Sequence, residues 1–248
     1  MKSQIIEPLY KSSVNQKIGL IVLATDFMIE RDFINITKKL NLDIFVNRIH
    51  CYFPLTKNNL IKMSNAVTQV SKDILPGEKL NCVVYGCTSG TIAASYKSIK
   101  EKIKLAKPDA QVITPSTAAI NALKKLGVKK VSIFTPYSKN LNDDVINYFK
   151  KENFVVTANS YFNILNDSDI AKIDQDYLYK VLSKIDMRGS EALFISCTNL
   201  PALPIIDKLE KKLGKIVLSS NQVLIWDTLR CIGKNNNIKG FGRLFSNI

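Results

Sequence analysis

Two cysteines stand in matching settings, Tyr85-Gly86-Cys87-Thr88-Ser89-Gly90 and Ile195-Ser196-Cys197-Thr198-Asn199. In each, a short apolar run ends, a Cys-Thr pair follows, and a helical pattern begins. A thiol placed between a strand and a helix meets unpaired backbone N–H groups and the positive end of the helix dipole. Both hold carboxylates and favour thiolate over thiol. Thr88, Ser89 and Gly90 bring two hydroxyls and an amide that can surround one carboxylate, because a glycine lets the backbone come close. Thr198 and Asn199 offer the same on the other side. An ordinary thiol titrates near ~8.5, and such a setting is expected to lower it toward working pH. Two thiols flanking one carbon suit chemistry on its opposite faces: one adds to or removes from the carbon while the other gives or takes the proton. A single cysteine at a strand end would read as a small buried residue; two at corresponding places point to a shared task.

The elements that must position these thiols alternate. Val- and Ile-rich runs at residues 18–24, 44–49, 81–86, 111–114, 130–135, 154–158, 192–196 and 215–219 read as strands. Helical patterns separate them, which is the mark of βαβ units with parallel sheets. The longest helix is expected over 56–74, capped by Thr56 and carrying Leu60, Met63, Val67, Val70 and Ile74 at 3-4 spacing before Pro76-Gly77. Others are expected over 32–40, from about 89, over 118–126, 143–152, from 168 to 181, over 206–213 and 222–231. The order repeats: Cys87 lies 62 positions after Thr25, and Cys197 lies 60 after Tyr137. A duplicated half sets Cys87 against Cys197 across a central cleft. The expected architecture is α/β, with two similar Rossmann-like domains of parallel four-stranded sheets, pseudo-two-fold related, and the active site between them. The first half is taken as residues 1–115 completed by 221–248, and the second as 116–220.

Composition narrows the function classes. The 248 residues are 46% hydrophobic and 23% charged, ordinary for a globular protein. No apolar stretch approaches the roughly 18 residues that span a bilayer, and residues 1–13 lack the apolar core of a secretory signal, so a cytoplasmic location is expected. Five cysteines with no CxxC pair fit reduced thiols better than disulfides or a zinc site, and Cys51, Cys82 and Cys231 are expected to be inert. The net charge of +14 raises nucleic acid as a partner. Yet only five of the 35 basic residues are arginines, the lysines are scattered, and no nucleic-acid-binding motif is present. No nucleic acid, membrane or metal is expected, and a homo-oligomer is left open.

Several segments together resemble the aspartate/glutamate racemase superfamily, in particular its maleate cis–trans isomerase and arylmalonate decarboxylase branch. They are Gly19-Leu20-Ile21-Val22, Tyr85-Gly86-Cys87-Thr88-Ser89-Gly90-Thr91, Thr114-Pro115-Ser116-Thr117, Phe134-Thr135-Pro136-Tyr137, Ser196-Cys197-Thr198-Asn199-Leu200 and Ser219-Ser220-Asn221-Gln222. Ala24-Thr25-Asp26 with Glu30 and Asp32-Phe33 is similar to the ectoine-utilisation proteins of that branch. The resemblance implies that Cys87 is a nucleophile or base, Cys197 an acid, and Tyr137 a hydrogen-bond donor to a substrate carboxylate. It also implies that Thr88 and Ser89 bind an oxyanion, that Thr198 lines the substrate, and that Asn166 is a substrate-binding asparagine. Asp26 falls where maleate isomerases carry asparagine. A carboxylate there would repel a dianion, yet it could take the Cys87 proton; helix capping is its third reading. Decarboxylases of the branch keep only the second cysteine, and glutamate racemases follow theirs with Thr-His where this chain has Asn199. His50, the one histidine, reads as structural.

The expected activity is an isomerase working on a small (di)carboxylic acid through two-cysteine covalent and acid–base chemistry, with no cofactor. Two alternatives stay open: racemisation of an acidic amino acid or derivative, and a carboxylate-binding protein without catalysis.

Overall fold

The computed structural model describes residues 3–10, 15–234 and 237–246. The first half runs β1 (Gln16–Leu23), α1 (Ile29–Thr37), β2 (Leu42–Ile49), α2 (Lys57–Ser64), α3 (Val67–Lys72), β3 (Cys82–Gly86), α4 (Thr88–Ala94), α5 (Tyr96–Ala106), β4 (Gln111–Ile113) and α6 (Pro115–Lys125). The second runs β5 (Lys130–Thr135), α7 (Lys139–Lys151), β6 (Val155–Tyr161), α8 (Asp167–Ile170), α9 (Gln175–Leu182), β7 (Ala192–Ile195), α10 (Ile206–Leu213), β8 (Ile216–Ser219) and α11 (Ser220–Cys231). The strands form two four-stranded sheets ordered β2-β1-β3-β4 and β6-β5-β7-β8, every neighbouring pair parallel. The duplication read from the Cys-Thr pairs is thus a duplication of topology.

Helices cover both faces of a parallel sheet, so its central strands are apolar throughout. β3 and β7 are buried at every position, while the edge strands β2 and β6 alternate with exposed residues. A methyl group on Gly86 would come within 2.5 Å of Ile29 on α1, so only glycine lets that helix close down on the end of β3. α11 is buried from Ser220 to Leu229 and packs against α6, α1, β3 and β4. Hydrogen bonds from Asn121 to Asp227 (2.9 Å) and from Gln16 to the Ile232 carbonyl (2.9 Å) tie it down.

Three helices differ from expectation. The 56–74 segment is two helices: the N–H groups of Asn65 and Ala66 reach back only three residues, to Lys62 and Met63, which tightens the chain out of the α form. The helix after Cys87 breaks at Ser95, whose φ is +70° and whose hydroxyl caps α5 at the Ser98 N–H. The 168–181 segment restarts at Asp174, which caps α9 through Tyr177 N–H (2.7 Å). In addition, α1 begins three residues earlier than its apolar pattern suggested, because Asp26 supplies acceptors for its first N–H groups. Among the described residues no helix is long and apolar enough to cross a membrane.

Candidate active site

Strand ends β1, β3, β5 and β7 deliver the loops that carry Asp26, Cys87, Tyr137 and Cys197, at the carboxyl edges where parallel α/β sheets bind ligands. Cys87 is itself the N-cap of α4: its Sγ accepts the Gly90 N–H at 3.2 Å, and the Ser89 Oγ lies 3.9 Å away. The thiol occupies the place a serine or aspartate side chain normally takes. The first two N–H groups of α4, on Thr88 and Ser89, have no acceptor within the helix.

Cys197 follows β7 with φ +116°, a backbone conformation rarely held by a non-glycine residue. Its N–H donates to the Ser220 hydroxyl at 2.9 Å, which helps hold the strained turn. Thr88 donates to the same Ser220 oxygen at 2.8 Å, and Thr198 donates to the Gly86 carbonyl at 3.2 Å. Each Cys-Thr pair is therefore anchored across the boundary to the other half. In this arrangement the hydroxyl protons of both threonines, expected to face a substrate, point to these links.

Tyr137 is 1% exposed, and burial, then Cys197, then Cys87 push its phenol well above the ordinary range. The thiols are themselves buried, 3% exposed for Cys87 and 5% for Cys197. Burial pushes both up; the Gly90 N–H opposes this at Cys87, and Asp167 reinforces it at both. Burial thus works on the Cys87 thiol against the lowering expected from the helix start.

Asp167 was not singled out from the sequence. Its Oδ2 accepts the Thr25 hydroxyl (2.6 Å) and the Asn199 side-chain amide (3.0 Å), and burial raises its carboxyl. Asn199 also donates to the Thr25 carbonyl (3.0 Å) and accepts the Phe27 N–H (2.8 Å), so it clasps the β1–α1 loop to α8. Asn166, expected in the site, is exposed; its Oδ1 accepts from Ser168 at 3.0 Å, and it precedes α8 with its side chain outside the buried cluster. One step along the chain, the helix start turns Asp167 inward instead.

Asp26 is both a cap and a group in the site. Its Oδ1 accepts Met28 N–H (2.7 Å) and Ile29 N–H (2.9 Å), while its Oδ2 is buried with no partner among the described residues. Burial, opposed by those two N–H groups and aided by Asp167, raises its carboxyl to about 6. Behind it Asp32 accepts from Asn221 at 2.8 Å, and burial raises it to about 7. Asn221 donates also to the Thr198 carbonyl (2.7 Å). The Ser220-Asn221 pair lay within a recognised motif, but its structural role was not legible there.

Of the other cysteines, Cys51 and Cys82 are buried, with thiols raised by burial, Cys51 to about 11. Cys231 is exposed, and partial burial and then Asp227 raise its thiol. His50 packs edge-on against Tyr52, as a structural residue would. Among the described residues, no cluster of His, Cys, Asp and Glu is arranged to hold a metal ion.

The profile of the arylmalonate decarboxylase family matches residues 94–245, more than half of the chain. The chain belongs to the arylmalonate decarboxylase family. Within curated relatives of this family member, a maleate isomerase of Geobacillus stearothermophilus is 26% identical over 201 residues, covering 77% of this chain and 79% of that protein. An arylmalonate decarboxylase of Bordetella bronchiseptica is 30% identical over 135 residues, covering 53% and 56%. Among solved structures, a mutant Nocardia farcinica maleate cis–trans isomerase with a covalently bound succinylcysteine intermediate superposes with a TM-score of 0.86 at 18% identity, covering 94% of this chain and 99% of that one. The family's fold is therefore shared across the whole of both sheets.

Proposed function

We propose that this family member is a cis–trans isomerase of a small unsaturated carboxylic acid of the maleate type, acting through Cys87 and Cys197. The observation that carries the reading is the Ser220 hydroxyl shared by the two Cys-Thr turns, which holds Cys87 and Cys197 at the equivalent strand ends of two duplicated sheets. Relatives named maleate isomerases support it, and so does the succinylcysteine in one of them, which is what a thiol forms on adding across a four-carbon enedioate.

The cycle follows from the geometry. The substrate carboxylate takes the N–H groups of Thr88 and Ser89 at the start of α4, with the Ser89 hydroxyl and the Tyr137 phenol as further donors. The Cys87 thiol loses its proton to the buried carboxylate of Asp167, the acid that acts on it. The Cys87 sulfur then bonds to one alkene carbon, and the Cys197 thiol gives its proton to the other. The former double bond is now single and rotates. The Cys197 thiolate takes back the proton, the C–S bond breaks toward Cys87, and the trans acid leaves. Every proton and electron pair returns to its origin, so the protein is ready to turn over again.

A second reading rests on Asp26 and Asp167, two buried carboxyl groups with no ion pair among the described residues. They suit a substrate that brings an ammonium group, as in racemisation of an acidic amino acid with one cysteine on each face of Cα. Maleate isomerisation followed by ultraviolet absorbance, and aspartate and glutamate racemisation followed by chiral chromatography, separate the readings. Turnover in the wild type and its loss in Cys87→Ser and Cys197→Ser, with ligand still bound, is the expected result. Binding without turnover of any of these acids would instead mark a carboxylate-binding protein.

A further inference from the structure

We propose that Tyr85 is a positioning residue for the Cys87 thiolate, its phenol donating a hydrogen bond to Sγ once the thiol has ionised. Tyr85 lies in β3 two residues before Cys87, and the Cys87 N–H donates back to the Tyr85 carbonyl at 2.9 Å. The side chain is 0% exposed, and its hydroxyl has no hydrogen-bond partner among the described residues. A buried hydroxyl without a partner is costly and uncommon; phenylalanine would fill the same space without that cost.

The direction of the hydroxyl is fixed by Gly90. A methyl group on Gly90 would lie 2.8 Å from Cys87 Sγ and 2.9 Å from the Tyr85 oxygen. The two atoms therefore flank one bare Cα, with no side chain between them. The titratable groups facing the phenol are Cys87 first and then Cys51; Asp167 and Cys51 also face the Cys87 thiol. Burial and these thiols keep the phenol protonated throughout the working range, so toward sulfur it acts only as a donor. Of the two thiols, Cys87 acts on the phenol more strongly than Cys51, and its sulfur is the one that shares the bare Gly90 backbone with the Tyr85 oxygen. In the structure the Tyr85 hydroxyl and the Cys87 sulfur make no hydrogen bond. When sulfur carries charge, the phenol joins the Gly90 N–H as a second donor, and a charge-assisted bond of this kind is stronger than a neutral one.

The inference rests on Cys87 being the group that ionises, and the test reads that ionisation directly. In Tyr85→Phe, the rate of iodoacetamide alkylation at Cys87, mapped by peptide mass, should rise with pH along a curve displaced upward by roughly one unit, a loss of about tenfold in thiolate at fixed pH. Turnover of the substrate should fall about 10- to 100-fold, in kcat more than in KM, while the thermal midpoint holds or rises because an unpartnered hydroxyl is gone. An unchanged alkylation curve overturns the inference even if turnover falls. If the wild type shows no isomerase activity but the curve moves as expected, the isomerase reading fails while the Tyr85–Cys87 contact stands.

Discussion

The Thr88 hydroxyl donates to that of Ser220 at 2.8 Å, across 132 positions of chain. Because the same Ser220 oxygen accepts the Cys197 N–H, one hydroxyl on α11 sets the positions of both cysteine turns. Ser220→Ala leaves the Thr88 hydroxyl and the Cys197 N–H without a partner in a buried place. The expected result is a loss of about 1–3 kcal/mol in stability, with kcat reduced by at least about tenfold as Cys197 leaves its strained backbone form. Chemical denaturation and steady-state kinetics check both. A variant with wild-type kcat would show that the clasp does not position the thiols.

Stability should fall with rising pH through a window set by Asp26 and Asp32. In the folded protein their carboxyls are raised, chiefly by burial, from 3.8 to about 6 and about 7. Between about pH 4 and about pH 7 the folded chain thus holds protons that the unfolded chain has already released. Stability is lost progressively as pH rises through that window and levels off above it. Asp32→Asn keeps an acceptor for Asn221 and removes one of the two titrations. Its melting temperature should exceed that of the wild type at about pH 8 and approach it near pH 4. Parallel melting curves for the two proteins across this range would contradict the assignment.

The chain legibly carried its duplication and its two parallel four-stranded sheets, because a parallel sheet writes itself as apolar runs at regular intervals and each Cys-Thr pair sits where such a run ends. It did not carry the breaks at Asn65, Ser95 and Asp174, where local turns interrupt an apolar face that continues in space. Nor did it reveal Asp167. Asn166 and Asp167 both favour a helix start, and which one turns inward depends on Asn199, 32 positions away. Nor did it reveal the links of Thr88 to Ser220 and of Thr198 to Gly86. A hydroxyl at a helix N-terminus looks the same in sequence whether it faces a ligand or Ser220.

Thiol labelling should separate access from chemistry. Cys231 is exposed, so iodoacetamide should modify it first and leave turnover intact. Loss of turnover should follow modification of Cys87, and substrate should protect against it. Cys82, buried with a thiol well above the ordinary range, should resist throughout. Peptide mapping over the time course provides the check; inactivation that tracked Cys231 would remove Cys87 from the chemistry.

Asp26 decides between the two substrate classes. It caps α1 through one oxygen and leaves the other buried and unpartnered, so a change confined to charge tests the second oxygen while sparing the cap. Asp26→Asn keeps an acceptor for Met28 and Ile29. If the carboxylate takes the Cys87 proton, or holds an ammonium group, the variant should lose about 100-fold or more in kcat on an acidic amino acid. If the substrate is a dianion, removing a like charge beside it should instead lower KM for maleate. The two outcomes oppose each other, so kcat and KM measured for both acids choose between them. Should neither constant move on either acid, Asp26 serves only as the helix cap, the carboxylate argument for an amino acid then rests on Asp167 alone, and Asp167→Asn becomes the deciding variant.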